Sequence, residues 1–189
     1  AEGEEIAGCE DEQAARAGFN LQMASPFTYR TYRERWMDEL EASCRKYGEM
    51  WKAAGRDPAK NERMILLPFF VHEDQKTARE IYRPHVEWFY AKVTANQLSG
   101  APTGVVKGYE LTMSEGKRTR ELGYLAFDKL IEHGAAIADS PEGAIARLRE
   151  MKRRFGITQF ALWFNIGGID PAHVERAMRL TAEKVMPHV

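Results

Sequence analysis

The chain has 189 residues, 44% of them hydrophobic and 29% charged, which suits a folded domain with one sizeable core. A formal charge of -1 without long like-charge runs lacks the basic footprint of a nucleic-acid binder, and no apolar stretch nears the roughly 20 residues of a membrane span. Cys9 and Cys44 are too few for a disulfide framework, and the acidic start AEGEE is not a secretory leader, so the sequence implies a reducing, cytoplasmic setting with small molecules or other protein chains as partners.

The predicted elements alternate. EIAGC and NLQMAS are short strand candidates on either side of a helix from about Asp11 to Ala17. From Thr28 to Ala54 the residues Tyr29, Tyr32, Trp36, Leu40, Cys44, Tyr47 and Trp51 recur at helical spacing with charged residues between them, and Gly55 ends the stripe. Met64 to Val71 is apolar on both faces and reads as a buried strand with a bend or bulge at Pro68. Asp74 can cap the next helix, whose stripe is Ala78, Tyr82, His85 or Val86, Phe89 and Val93. Pro84 should kink it, because proline lacks an amide hydrogen and crowds the preceding turn.

Periodicity fails from Gln97 to Gly116, a segment rich in glycine that is expected to be a mobile insertion or lid. It resumes at Leu122, Leu125, Leu130 and Ile131, with Gly134 as a left-handed stop. Ser140 as N-cap and Pro141 at the first helical position then open a helix with Ala144, Ile145, Leu148, Met151 and Phe155 on its stripe, ended by Gly156. A buried strand from Ile157 to Ile166 follows. After Gly167 and Gly168, Asp170 and Pro171 start a last helix with Val174, Met178, Thr181 and Val185 inward. Strands alternating with crossover helices imply a parallel sheet and the α/β class.

Motifs of wider use are weak. Gly167 and Gly168 lack the third glycine of a dinucleotide fingerprint and read as a bare turn plus N-cap, with a phosphate-binding turn as the alternative. SEGKRT, Ser114 to Thr119, has Leu111 where a P-loop needs its first glycine. His72, Glu73 and Asp74 are adjacent residues that diverge on leaving a strand, so no metal site is expected. Glu10, Asp11 and Glu12 argue against a reactive Cys9, and Cys44 belongs to an apolar stripe. His85 reads as a packing histidine, and Trp36, Trp51, Trp88 and Trp163 as packing residues before flavin-stacking ones.

The stretch DSPEGAIARLREMKRRFGITQFALWFNIGGIDPAHVERAMRLTAEKVMPHV, Asp139 to Val189, resembles the C-terminal end of the bacterial luciferase-like flavin-dependent monooxygenases. It shares a Ser-Pro-Glu helix start, a strand ending in Phe and glycines, and a closing helix finishing in Val-Met-Pro-His. Upstream, DEQAARAGFNLQMAS is similar to that family's fifth helix and sixth strand, and RMILLPFFVHEDQKTAREIYRPHVEWFYAK to its seventh strand and helix. The resemblance implies parallel (β/α) units forming the C-terminal half of a TIM-type (β/α)8 barrel, a fold of about 250 residues. Half the staves are absent. The chain is then a single domain that is either a piece of a longer or cleaved polypeptide or one of two halves that associate, as a homodimer or with the missing half-barrel.

The resemblance also implies reduced FMN and O2 acting on a small organic substrate, with a flavin reductase among the partners such chemistry allows. Deazaflavin hydride transfer, or a non-catalytic flavin-binding or dimerising role, are the alternatives. Catalytic residues are expected in the missing half. The flavin-phosphate loop falls on Ala7, Gly8, Cys9 and Glu10, and the end of the sixth strand contributes Met23, Ala24 and Ser25, of which Ser25 is the residue expected to face the ligand. Ala7 and Glu10 depart from the small hydroxyl residues usual there, and a carboxylate beside a phosphate dianion is unfavourable without a basic partner.

Overall fold

A computed structural model describes residues 12–24, 36–90 and 126–189. The strand candidate Glu5–Cys9, the early stripe positions Tyr29 and Tyr32, Val93, the insertion 97–116 and the positions Leu122 and Leu125 lie outside the described residues.

Helix α1, residues 12–17, leads into strand β1, Leu21–Ala24. Helix α2, Trp36–Ala53, ends before Gly55 at φ 73° and buries Leu40, Cys44, Tyr47 and Trp51, as its stripe dictates. Strand β2, Arg63–Val71, is the longest of the sheet and its centre. Helix α3, Gln75–Trp88, is capped by Asp74, whose Oδ2 accepts from the Thr77 amide at 2.7 Å. It runs through Pro84 as one element and winds into a π turn at residues 89–90. Helix α4, Phe127–Glu132, leads by way of Gly134 at φ 68° into strand β3, Ile137–Asp139. Helix α5, Pro141–Phe155, is opened by Ser140, whose Oγ accepts from the Gly143 amide at 3.3 Å, and closed by Gly156 at φ 65°. Strand β4, Gln159–Trp163, and helix α6, Pro171–Leu180, complete the chain, with a π turn over Thr181–Val185 and a 3-10 turn over Met186–His188.

Every strand pairing is parallel. β1 runs along β2 from Leu21↔Arg63 to Ala24↔Leu66, while β4 runs along it from Met64↔Gln159 to Pro68↔Trp163. The two use overlapping residues of β2 and so must lie on its opposite edges, giving the order β1-β2-β4. Pro68 is the last β2 residue paired with β4, and Phe69 begins the pairing with β3, at Phe69↔Ile137. A proline cannot donate to a ladder, so a change of partner falls naturally there.

Two expectations are corrected. The short strand β3 was not anticipated: its Ala-rich sequence carries no strand signal and it is fixed by pairing with β2. The strand expected over Ile157 to Ile166 spans only Gln159–Trp163, and instead of being buried on both faces it has Phe160, Ala161, Leu162 and Trp163 all half-buried.

The register explains that partial burial. Met23, Ile65 and Phe160 form one cross-strand row, and Leu67 and Leu162 continue that face. Met23, Ile65 and Leu67 are buried beneath the helices, and each such side chain contributes about 1.5–3 kcal/mol of burial. The opposite face carries Gln22, which is exposed, and Met64, Leu66, Ala161 and Trp163, which are half-buried. Among the described residues, helices bury the face of Met23, Ile65 and Leu67, while on the other face Met64, Leu66 and Ala161 stay half-buried and Trp163 meets Phe89.

The N-terminal ends of the strands are clamped. Arg63 Nη1 donates to the Phe155 carbonyl at 2.8 Å, the Arg63 amide donates to Thr158 Oγ1 at 2.9 Å, and Asn20 and Gln159 both donate to Glu62 Oε2. On the outside, Arg154 joins α5 to α2 through Glu41 at 2.7 Å and Asp38 at 2.8 Å.

Candidate functional site

Because β2, β3 and β4 each lead within a few residues into a helix, their C-terminal ends and those helix N-termini share one rim, where barrels of this type carry their sites. The described part of that rim consists of His72 to Asp74 after β2, Asp139 and Ser140 after β3, and Trp163 to Asp170 after β4.

After β2 the backbone is held by β3: the His72 amide donates to the Asp139 carbonyl at 3.2 Å. Asp139 Oδ1 in turn accepts from Gln75 Nε2 and from the Ser140 amide, both at 2.8 Å. The Asp74 amide donates to His72 Nδ1 at 3.2 Å, so the neutral imidazole carries its proton on Nε2. Glu73 Oε2 lies 3.7 Å from His72 Nδ1 while its Oε1 accepts from Arg176 Nη2 on α6 at 2.9 Å, and the Arg176 hydrogen bond holds its carboxyl below the ordinary glutamate value. Asp74 is lowered likewise, first by the Thr77 hydroxyl and then by the Thr77 amide.

After β4 the glycine pair resolves into a turn pressed against α3. Gly167 has φ 63°, and a Cβ there would stand 2.5 Å from the His85 carbonyl oxygen. His85 Nδ1 lies 2.9 Å from the Gly167 carbonyl oxygen, to which it donates. Gly168, at φ 75°, has open space around it. Asp170 Oδ1 accepts from the Ala172 amide at 2.8 Å, placing a carboxylate where a phosphate would need free amides. The bare turn with an N-cap is therefore the arrangement present.

Aromatic side chains line this end of the sheet. Tyr82 stacks on Phe70 with centroids 5.3 Å apart, and its hydroxyl donates to the Trp163 carbonyl at 2.7 Å. Phe89 meets the Trp163 ring edge-on at 4.8 Å, and Trp163 Nε1 donates to the Asn165 carbonyl at 2.8 Å. Burial pushes the Tyr82 phenol well above its ordinary value, so it stays a donor.

Of the residues expected at the site, Ala7, Gly8, Cys9, Glu10 and Ser25 lie outside the described residues. Met23 is 2% exposed in the helix-facing row, with its sulfur 3.8 Å from Cys44 Sγ. Burial raises the Cys44 thiol to about 11, so it packs as an uncharged group. Trp51 packs in the core and Trp163, half-buried, packs against it, both as expected, whereas Trp88 is 51% exposed, which corrects its reading as a packing residue. Sequence reasoning missed the exposure of Trp88, because periodicity reveals apolar residues but not whether anything covers them. Among the described residues no group of three metal-ligating side chains converges, and no helix is long and apolar enough to cross a membrane.

Comparison with known proteins follows the same outline. The sequence matches the luciferase-like monooxygenase family over residues 34–159. Monooxygenase RslO1 from Streptomyces bottropensis superposes with a TM-score of 0.63 at 20% identity, over 96% of this chain and 45% of that one. The oxygenating constituent of 3,6-diketocamphane monooxygenase from Pseudomonas putida, a type II Baeyer-Villiger monooxygenase in complex with FMN, gives 0.62 at 14% identity over 95% and 45%. The coenzyme F420 dependent tetrahydromethanopterin reductase from Methanopyrus kandleri gives 0.50 at 22% identity over 80% and 42%. The chain spans less than half the length of these structures. No curated protein matches it significantly.

Proposed function

The chain belongs to the luciferase-like monooxygenase family, and from that premise we propose that it serves as the C-terminal half of a flavin-dependent monooxygenase oxidising a small organic substrate with reduced FMN and O2. The observation that carries the reading is the family match over residues 34–159 on a parallel sheet whose face away from the helices carries Met64, Leu66, Ala161 and Trp163.

The described residues fit one part of the cofactor. Leu66, Ala161 and Trp163 give an apolar, partly aromatic wall suited to a flat ring system. The helix starts on the described rim are occupied by the Asp74, Ser140 and Asp170 side chains; it is the family resemblance that points the phosphate end to Ala7, Gly8, Cys9 and Glu10 and the ring to Ser25. Reduced flavin supplies the electrons that activate O2. This chain's own residues bind and orient: the Tyr82 hydroxyl and the His85–Gly167 bond fix the end of β4, and the wall keeps water from one side of the ring.

A second reading is favoured by the F420-dependent neighbour: the same scaffold using a deazaflavin for hydride transfer. The test is titration of the chain with FMN, followed by flavin fluorescence, and then oxygen uptake with reduced FMN. Binding with oxygen uptake supports the monooxygenase. Hydride transfer from reduced deazaflavin without oxygen uptake supports the second reading, and flavin bound without either reaction would leave a non-catalytic relative. A chain that binds neither cofactor in any assembly contradicts the proposal.

A further inference from the structure

We propose that Trp163 selects the substrate at this end of the site, by offering a fixed, apolar ring to a neutral, apolar part of the organic molecule. Tyr82 and Phe89 position that ring. The substrate class deepens the monooxygenase reading above and rests on it.

Sheet register sets Trp163 at the site. The rows Ile65↔Phe160 and Leu67↔Leu162 continue the helix-facing side, so Trp163, the last residue of β4, belongs with Ala161 to the inner face. It stands about 7 Å beyond Ala161 toward the C-terminal strand ends, where (β/α)8 barrels bring ligands to the wall. The ring is held from several sides. Its Nε1–H donates to the Asn165 carbonyl at 2.8 Å, and Phe89 meets it edge-on at 4.8 Å with the planes 83° apart. The Trp163 carbonyl accepts from the Tyr82 hydroxyl at 2.7 Å, and Tyr82 is itself buried and stacked on Phe70. The His85–Gly167 bond docks the same stretch of α3 on the turn after β4. A ring fixed in this way loses little further freedom when a ligand arrives.

What these residues leave for a ligand is apolar. The Trp163 Nε1–H, the Tyr82 hydroxyl and the His85 Nδ1–H are each spent on a backbone carbonyl. The charged groups of the described rim are spent as well: Glu73 on Arg176, Asp74 on Thr77, Asp170 on the Ala172 amide, and Asp139 on Gln75 and the Ser140 amide. An anion arriving beside Trp163 therefore meets Arg176 already neutralised by Glu73, and a polar group gives up water without gaining any of these donors in exchange. A neutral hydrocarbon or aromatic surface loses no such partner, and it gains contact with Trp163 and Phe89, both half-buried. Leu66 and Ala161 pair one level deeper, so a cofactor ring lying on them leaves Trp163 to the substrate beyond it.

Fluorine NMR of the purified protein labelled with 5-fluorotryptophan tests this, with its 4 tryptophan signals assigned from single Phe variants. Cyclohexanol is the neutral apolar probe, and cyclohexanecarboxylate is the anionic one of like size. Cyclohexanol should shift the Trp163 signal saturably, with and without FMN, while the signals of Trp51 and Trp88 stay in place. The carboxylate should bind about tenfold more weakly or worse. By calorimetry, Trp163→Ala should weaken cyclohexanol about tenfold, and Trp163→Phe should restore most of the affinity. Tyr82→Phe and Phe89→Leu, shown to be folded by circular dichroism, should move the Trp163 signal of the unliganded protein and weaken the probe about threefold. A Trp163 signal that cyclohexanol does not move overturns the proposal, as does a carboxylate that binds as tightly or a cyclohexanol shift that FMN abolishes. Unchanged affinity in Trp163→Ala overturns it too; if that variant does not fold, the Trp163 signal and the comparison of the two probes decide. Oxygen uptake with reduced FMN in the same samples separates the two readings: a shifted Trp163 signal without uptake keeps an apolar small-molecule site and removes the monooxygenase, and uptake with an unmoved signal does the reverse.

Discussion

Replacing Gly167 by alanine should destabilise the fold far more than the same change one residue later. Both glycines occupy the left-handed region, at φ 63° and 75°, where an L side chain costs about 1–2 kcal/mol. Part of that is offset, because alanine reduces the freedom of the unfolded chain by about 0.4–1 kcal/mol. At Gly168 nothing lies within 4 Å of the new Cβ, so the net cost is about 1 kcal/mol. At Gly167 the Cβ would meet the His85 carbonyl oxygen at 2.5 Å and its Cα and carbonyl carbon at 3.0 Å. Those atoms belong to the backbone of α3 and cannot rotate away. Relief requires the turn to lift off the helix, which breaks the 2.9 Å His85–Gly167 bond at a further cost of about 1 kcal/mol and strains the end of β4. The sum for Gly167→Ala is about 2–4 kcal/mol, a large share of the stability of a domain of this size. Urea unfolding of the two variants beside the parent protein, read as shifts in midpoint at constant slope, measures the difference. Equal midpoints for Gly167→Ala and Gly168→Ala would refute the close approach to α3.

Further outcomes follow from single contacts. Ser140→Ala removes the N-cap of α5 and should cost about 1 kcal/mol in the same unfolding assay, with Ser140→Asp largely restoring it. Tyr82→Phe leaves the Trp163 carbonyl without its donor and should cost about 1 kcal/mol while preserving the stacking on Phe70. Cys44, with its thiol raised to about 11 by burial, should resist alkylation at neutral pH in a Cys9→Ser background and react once urea is added, as peptide mass mapping would reveal. Glu73 titrates below its ordinary value because of Arg176, so its contribution to stability is complete above the ordinary glutamate range and disappears as pH falls through the lowered value. Arg176→Gln should raise the Glu73 titration midpoint followed by carboxyl NMR, and an unmoved midpoint would show that the pair does not persist in solution.

The parts of the fold legible in the sequence are those whose causes are local. Asp74, Ser140 and Asp170 as caps and Gly55, Gly134 and Gly156 as helix stops depend on a few neighbouring residues, and each stands where its spacing implies. The stripe Leu40, Cys44, Tyr47 and Trp51 is legible for the same reason, since helical periodicity and burial coincide when the helix has something to cover. Strand β3 was hidden because Ile137–Asp139 becomes a strand only by finding the end of β2. The partial exposure of β4, Met178 and Trp88 was hidden for a different reason: an apolar run specifies that a surface should be covered, not that the covering element belongs to the same chain. At the site, the apolar wall follows from β-strand alternation once the register is known. The assignment of Met23 drew on its place at a strand end, and the register sets it on the helix-facing side with Ile65.

A crystal structure of the 189-residue chain, read for the neighbours of Gln159–Trp163, bears most directly on the claim that this polypeptide forms one wall of a ring. The account predicts β1, β2 and β4 side by side and parallel, with β2 the one strand of residues 12–24, 36–90 and 126–189 that pairs with β4. A sheet that closes on itself within a single chain, or one in which β4 runs antiparallel to β2, would contradict it.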